Sequence, residues 1–322
     1  MNSDPLAPLV DIVIPTYNRA HLVEGAIRAS LDQSWWNIRV TVVDDASTDA
    51  TLEVVRPFFT DPKFNYIRLS NNLGTALAKN AGLLLTDGGA VTFHDSDDLP
   101  HRDKVLHQVR VLTAKNIGAD ECLNWAMAGK RAGQRLAVSA ALTHHVLILP
   151  DGRRVEIRRD ISLVDDIFPN LQMGSQVPGE WTHVNSGLFR SDVFRRVGGF
   201  ENCIEEDREF RNRLIFSGEV LWVIPELLLT KIETRDSLTQ SAISDYDSER
   251  RKADRKIVWQ KAQQWRESGC IEPVPVHVPD LALDYVSNPN LLHPRDMLVS
   301  APTASLVQTI LSDIRSSRLV AQ

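Results

Sequence analysis

Gly89-Ala90-Val91-Thr92-Phe93-His94-Asp95-Ser96-Asp97-Asp98 is an apolar run that ends in a crowd of carboxylates. Ala90–Phe93 reads as a buried strand, so the three aspartates fall at its carboxyl end. Like charges that close repel and raise one another's pKa unless something positive lies among them. A hard divalent cation with oxygen ligands neutralises such a group, and cations of this kind usually bring phosphates with them. The competing reading is a strand followed by an acidic turn, because Asp is common in turns.

The strand-then-polar pattern repeats upstream. Val10-Asp11-Ile12-Val13-Ile14 reads as a strand and runs into Pro15-Thr16-Tyr17-Asn18. Val40-Thr41-Val42-Val43 reads as a second and runs into Asp44-Asp45-Ala46-Ser47. Phe64–Leu69 supplies a third. Between them lie stretches of helical period over 20–33, 49–59 and 75–85, and a further helix is predicted over 102–115. Strands alternating with helices predict an α/β fold, a mostly parallel central sheet covered by helices on both faces. Ligands in such sheets bind beyond the carboxyl ends of the strands, where all three polar clusters fall.

The pattern changes between 117 and 180. Gln134–Ala141, His145–Leu149 and Arg154–Arg158 read as short strands, with Pro150-Asp151-Gly152 as a turn. They predict an antiparallel section inserted beside the main sheet. The stretch 168–181 reads as a loop, and helix and strand resume over 191–234. A charged helical segment follows over 245–267. Pro273, Pro275, Pro279, Pro289 and Pro294 then argue against long elements, and a last helix is predicted over 303–320. Its apolar residues Leu306, Val307, Ile310, Leu311 and Ile314 suit packing on the main domain or on another subunit. The division expected is a main α/β domain over 1–240 and a mostly helical C-terminal extension over 241–322.

Bulk properties narrow the classes of function. A net charge of −6 over 322 residues leaves no basic surplus, so nucleic acid is not expected as a partner. Cys122, Cys203 and Cys270 are isolated and lack metal-ligand spacing, as in reduced thiols of a cytoplasmic protein. Met1-Asn2-Ser3-Asp4-Pro5 does not read as a signal peptide, and no apolar run approaches the ~20 residues that span a bilayer. The expectation is a protein that works from the cytosol or lies on the inner face of a membrane. Arg250, Arg251, Lys252, Arg255, Lys256 and Lys261 read as a solvated helix face, or as a dock for anionic lipid or a diphosphate-linked acceptor. No Gly-x-Gly-x-x-Gly follows the first strand, which argues against a dinucleotide-dependent oxidoreductase.

Several segments, in order, resemble a known family. They are Ile14-Pro15-Thr16-Tyr17-Asn18-Arg19, Val43-Asp44-Asp45-Ala46-Ser47-Thr48-Asp49, Asn71-Asn72-Leu73-Gly74 with Ala78-Lys79-Asn80-Ala81-Gly82, and Asp95-Ser96-Asp97-Asp98. Asn185-Ser186-Gly187, Phe194 to Phe200, Glu206-Asp207 and Arg213 continue the match. The sequence is similar to the family 2 inverting glycosyltransferases of GT-A architecture from about residue 9 to about residue 239. The closing stretch matches no family pattern.

The resemblance implies a nucleoside diphosphate sugar donor, most often a uridine diphosphate sugar, bound at the strand ends. It places Pro15, Thr16, Tyr17 and Asn18 around the base, where the Tyr17 ring can stack, and Asp44 and Asp45 near base and ribose. One of each polar pair is expected only to orient its loop. It places Gly74, Lys79 and Asn80 beside the diphosphate; an Arg often stands at the Lys79 position, and Lys offers a point charge instead of a fork. It assigns Asp95, Ser96, Asp97 and Asp98 to the donor and metal cluster, with Asp95, Asp97 and Asp98 around Mn²⁺ or Mg²⁺ and Asp97 the leading ligand. Asp207 matches the general base, with Glu206 supporting it or touching the acceptor. A carbohydrate or lipid-linked hydroxyl would be the acceptor, in surface polysaccharide or glycolipid assembly.

Trp181 and His183 precede the Gly198-Gly199 loop, and an aromatic ring there could stack on a sugar. His94 reads as completing its strand. Gln263-Gln264-Trp265 is discounted as a polysaccharide-synthase motif, because such synthases carry transmembrane helices. Two rival readings are a sugar nucleotidyltransferase, which usually has a Gly-rich basic loop where Thr16-Tyr17-Asn18-Arg19-Ala20 stands, and a non-catalytic transferase-like binding module.

Overall fold

The computed structural model describes residues 7–113, 138–158, 171–172, 184–233 and 248–316. The alternating first third folds as its pattern implies. β1 (Val10–Thr16), β2 (Ile38–Asp44), β3 (Phe64–Leu69) and β4 (Ala90–Phe93) are linked by α1 (Val23–Leu31), α2 (Thr51–Val55) and α3 (Thr75–Leu84). β1 pairs in parallel with β2 and β4, and β2 with β3. These strands are buried on both sides, so even their polar residues Asp11, Arg39, Thr41 and Asn65 lie inside. One face packs Val13, Val43, Phe93 and α3, the other Ile12, Ile14, Val42 and α1.

The later elements extend this sheet. The remaining strands are β5 (Asp98–Pro100), β6 (Ala140–Ile148), β7 (Arg154–Ile157), β8 (Leu171–Gln172), β9 (Leu188–Arg190), β10 (Leu221–Ile232) and β11 (Leu283–Val286). The main order is β11-β3-β2-β1-β4-β9-β6-β10-β5, with β7 beside β6 and β8 beside β10. The antiparallel section expected beside the sheet is therefore partly inside it. β6 is one continuous strand between β9 and β10, parallel to β10 and antiparallel to β9. Its residues Ala140–Val146 are buried, which fits a central strand better than an appended hairpin. The short strand β5, directly after the aspartates, was not anticipated. Its three residues are too few for a period to show.

The remaining helices are α4 (Lys104–Thr113), α5 (Val193–Val197), α6 (Glu206–Phe216), α7 (Glu249–Ser268) and α8 (Ala301–Arg315). The boundary expected at residue 240 falls outside the described residues. The chain beyond it enters the same core: β11 pairs antiparallel with β3, and Val307, Ile310, Leu311 and Ile314 of α8 are buried there. Arg295 stitches this segment to the beginning of the chain. Its buried guanidinium donates to Asp11 Oδ2 at 2.6 Å, Gly88 O at 2.8 Å and Leu83 O at 3.2 Å. Asp11 also accepts from Arg39 at 2.7 Å, so one buried carboxylate serves two guanidinium groups. Gly198, at φ +79°, lets the chain after α5 approach this segment so closely that a Cβ would overlap the Val274 carbonyl.

Candidate active site

Three strand ends and the first turn of α6 supply the candidate groups. Asn18, at φ 52°, turns the chain after β1. Its side-chain oxygen accepts from the Thr48 backbone at 2.7 Å, and its own N–H donates to Ser47 Oγ at 2.9 Å. Asn18 therefore ties the loop after β1 to the loop after β2. Tyr17, beside it, is 43% exposed, whereas Thr16 is buried and its Oγ1 has no hydrogen-bond partner. An exposed ring next to an unsatisfied hydroxyl suits a flat polar ligand.

Asp44 and Asp45 are used by the protein itself. Asp44 accepts from the Tyr66 hydroxyl and from Ser47 N. Asp45 accepts from Leu73 N at 2.7 Å and Gly74 N at 2.8 Å. Burial pushes the Asp45 carboxyl above the ordinary carboxylate range, against the pull of those two amides. Gly74 sits at φ +90°, where a side chain would be strained, and opens α3. Both aspartates thus orient loops, the role expected of only one member of the pair.

Lys79 and Asn80 lie on α3, every residue of which after Thr75 is buried. Lys79 was expected beside a diphosphate, but its ammonium is 2.7 Å from Asp207 Oδ1 and 3.2 Å from Glu206 Oε1, and 5.1 Å from the Phe200 ring centroid. Burial would lower its pKa; the charges of Asp207, Glu206 and Asp95 outweigh burial and hold the proton. The Asn80 amide is engaged by the protein, donating to Phe200 O at 2.8 Å and accepting from Phe200 N at 2.9 Å. Lys79 joins α3 to the first turn of α6, and Asn80 joins it to Phe200, for the same reason: their helix is covered, so polar heads must find protein partners.

Glu206 and Asp207 open α6, where the helix dipole favours carboxylates. Burial pushes Glu206 up to about 7, with Lys79 opposing and Asp207 adding to the rise. Asp207 is the more open of the two, with 29% of its side chain exposed. The turn before them is held from α7. Arg251 and Arg255 each reach Glu205 Oε1 at 3.3 Å, Lys261 pairs with Glu201, and Ile204 N donates to Asp254 at 2.8 Å. Half of the basic α7 cluster is thereby committed to this support. Arg213 completes it from within α6, pairing with Glu209 at 2.7 Å and donating to Val197 O and Gly199 O. Trp265 packs against Phe216, a structural place for the discounted motif. Trp181 and His183 lie outside the described residues.

The acidic cluster follows β4. Asp95, Asp97 and Asp98 each place one oxygen within 4.8 Å of the others. Asp98 is fully buried, and burial drives its carboxyl up to about 7. Burial and Asp95 push Asp97 upward as well. Ser96 is buried between them. Two residues outside the candidate set meet the cluster: Asn185 donates to Asp95 Oδ2, and Lys231 lies 3.1 Å from Asp95 Oδ2 and 3.2 Å from Asp98 Oδ1. Asn185 was within reach of the sequence through its family motif. Lys231 was not, since nothing around Lys231 in β10 singles it out. His94 is buried against Ser30 and Lys104, completing its strand instead of meeting the cluster. The donor set fits a divalent cation: three hard oxygen ligands, two of them under an unfavourable excess of buried negative charge that a cation relieves.

The sheet order and its polar strand ends define a GT-A type α/β protein. Residues 11–120 match the family described as Glycosyl transferase family 2. An uncharacterized glycosyltransferase of Haemophilus influenzae is 29% identical over 172 residues, 51% of this chain and 68% of that one. A putative teichuronic acid biosynthesis glycosyltransferase of Bacillus subtilis, TuaG, is 33% identical over 110 residues, 34% of this chain and 44% of that one. The chain thus spans less than half the length of the latter. Among solved structures, the mannosyltransferase PcManGT of Pyrobaculum calidifontis, in complex with GDP-Man and Mn²⁺, superposes with a TM-score of 0.54 at 21% identity. That match covers 82% of this chain and 67% of the other, and it shows a shared fold. No described helix is long and apolar enough to cross a membrane.

Proposed function

We propose that this protein transfers a sugar from a nucleoside diphosphate donor to a hydroxyl acceptor, with inversion at the anomeric carbon. The observation that carries the reading is the convergence of two acidic groups on one buried lysine. Lys79 contacts Glu206 and Asp207 directly, and the Asp95 charge from the β4 cluster helps hold its proton. The two clusters have different chemistry, which is what displacement with inversion requires of the two sides of a sugar ring. Asp207, the more open carboxylate, takes the proton of the acceptor hydroxyl as its oxygen bonds to the anomeric carbon. The bond from that carbon to the diphosphate breaks, and the electron pair leaves with the phosphate oxygen. Asp95, Asp97 and Asp98 would hold Mn²⁺ or Mg²⁺, which supplies Lewis-acid stabilisation of the leaving diphosphate. Glu206 and Lys79 position Asp207. Tyr17 and Thr16 receive the base, uracil being the expectation from family habit, while PcManGT was solved with a guanine nucleotide.

The relative TuaG is named for teichuronic acid biosynthesis, which supports a carbohydrate or lipid-linked acceptor in surface polysaccharide assembly. Work at the cytosolic face of a membrane fits that role, with Arg250 and Lys256 of α7 serving as the contact. The test is a thermal-shift screen of UDP- and GDP-sugars with and without Mn²⁺, followed by NMR of the product's anomeric configuration. A cation-dependent stabilisation and an inverted linkage are expected. Retention at the anomeric carbon, or release of inorganic pyrophosphate in place of sugar transfer, overturns the reading.

A further inference from the structure

Lys231 is the one lysine described in contact with the acidic cluster, and backbone register puts it there. In the antiparallel pairing of β10 with β5, Lys231 stands opposite Asp98. Its ammonium is shared between Asp95 and Asp98, with 18% of the side chain exposed. The same oxygens are those offered to a divalent cation. Such a cation sits about 2.1–2.6 Å from carboxylate oxygens. An ammonium about 3 Å from those oxygens would then face a doubly charged ion at close range, in a largely desolvated site where repulsion is poorly screened. A lysine head on a flexible four-carbon stem can move away, and a phosphate oxygen is the natural next partner.

Resting on the functional reading above, we infer that Lys231 is a built-in counterion that couples metal uptake to donor binding. It competes with the divalent cation for Asp95 and Asp98, so the site takes metal weakly alone and tightly together with a nucleoside diphosphate. Charge explains why nucleotide binding needs it. With a cation bound, three ionised aspartates, one ammonium and the cation sum to zero, so nothing repels an incoming diphosphate. Without the ammonium one negative charge remains against it.

The inference predicts effects of opposite sign in a single variant. Mn²⁺ binding is read from the free-ion EPR signal, with no nucleotide present, for the unaltered protein, Lys231→Met and Lys231→Gln. UDP and GDP are then titrated by calorimetry at saturating Mn²⁺. Both variants should bind Mn²⁺ alone at least fivefold more tightly and nucleotide at least fivefold more weakly. Mn²⁺ affinity that is unchanged or weaker in the variant that retains the native near-UV circular dichroism overturns the inference, as does unchanged nucleotide affinity. Measuring two variants keeps a folding defect in one from deciding the matter. If the unaltered protein binds neither Mn²⁺ nor nucleotide, the functional reading fails with it. If the unaltered protein binds both and the variants match it, only the role of Lys231 fails.

Discussion

Lys79 Nζ and Asp207 Oδ1 lie 2.7 Å apart across 128 residues of sequence, joining α3 to the first turn of α6. This pair ties the half-open candidate base to the core through a helix whose residues after Thr75 are all buried.

Replacing Lys79 by Met leaves Glu206 and Asp207 facing each other without a cation. Breaking a buried ion pair from one side costs roughly 3–5 kcal/mol, and the partial exposure of Asp207 puts this case near the lower end, about 3 kcal/mol. Urea denaturation should show that loss, and the turnover rate should fall while donor affinity stays within a few-fold. A large loss of donor affinity with unchanged stability would instead place Lys79 on the diphosphate.

Asp207→Asn keeps the shape of the side chain and removes the proton acceptor. General-base catalysis typically contributes 10²- to 10⁴-fold, so turnover should fall by at least about a hundredfold. Calorimetric affinity for donor should be retained. Transfer at the unaltered rate would remove Asp207 from the role.

Glu206 makes stability depend on pH in a defined direction. Its folded-state pKa, about 7, lies above the ordinary carboxylate value of 4.5. Between those values the folded state binds the extra proton, so this group's contribution is full below pH 4.5 and is lost as pH rises toward 7, at up to about 1.4 kcal/mol per pH unit. Denaturation of the protein and of Glu206→Gln at pH 5, 6, 7 and 8 isolates the effect. The Gln variant should gain stability relative to the parent as pH rises; a constant difference would show that Glu206 is ionised throughout.

Asp97→Ala should abolish stabilisation by nucleotide plus Mn²⁺ while leaving the unliganded melting temperature nearly unchanged, because Asp97 is partly exposed and holds no described salt bridge. Asp98→Ala should lower that temperature, since it removes one of the two carboxylates that hold the Lys231 ammonium and leaves a buried gap. Equal melting temperatures for the two variants would contradict the different burial of the two carboxylates. Chelation with EDTA should reproduce the Asp97→Ala result on the intact protein.

The parallel half of the sheet was legible because each strand is a short run rich in β-branched or aromatic residues that ends in polar ones, a local signal. The acidic cluster and Glu206-Asp207 were legible through residue type and order. What stayed hidden depends on partners far along the chain. Lys231 reaches Asp98 only through the pairing of β10 with the three-residue strand β5. Lys79 reads as an ordinary helix lysine until burial on every side of α3 is known. β11 reaches the sheet edge across more than two hundred residues, from a proline-punctuated stretch that gives no strand period. The commitment of Arg251, Arg255 and Lys261 to Glu205 and Glu201 likewise required knowing where α7 docks.

The Arg295 stitch sets a schedule for biosynthesis. Asp11 is translated well before one of its two guanidinium partners, which stands 284 residues further along the chain. Until then that carboxylate lacks half its neutralising charge, and the outer edge of β3 stands open to any neighbouring strand. β1 and β3 therefore gain their last partners only once the segment carrying β11 and Arg295 has been translated.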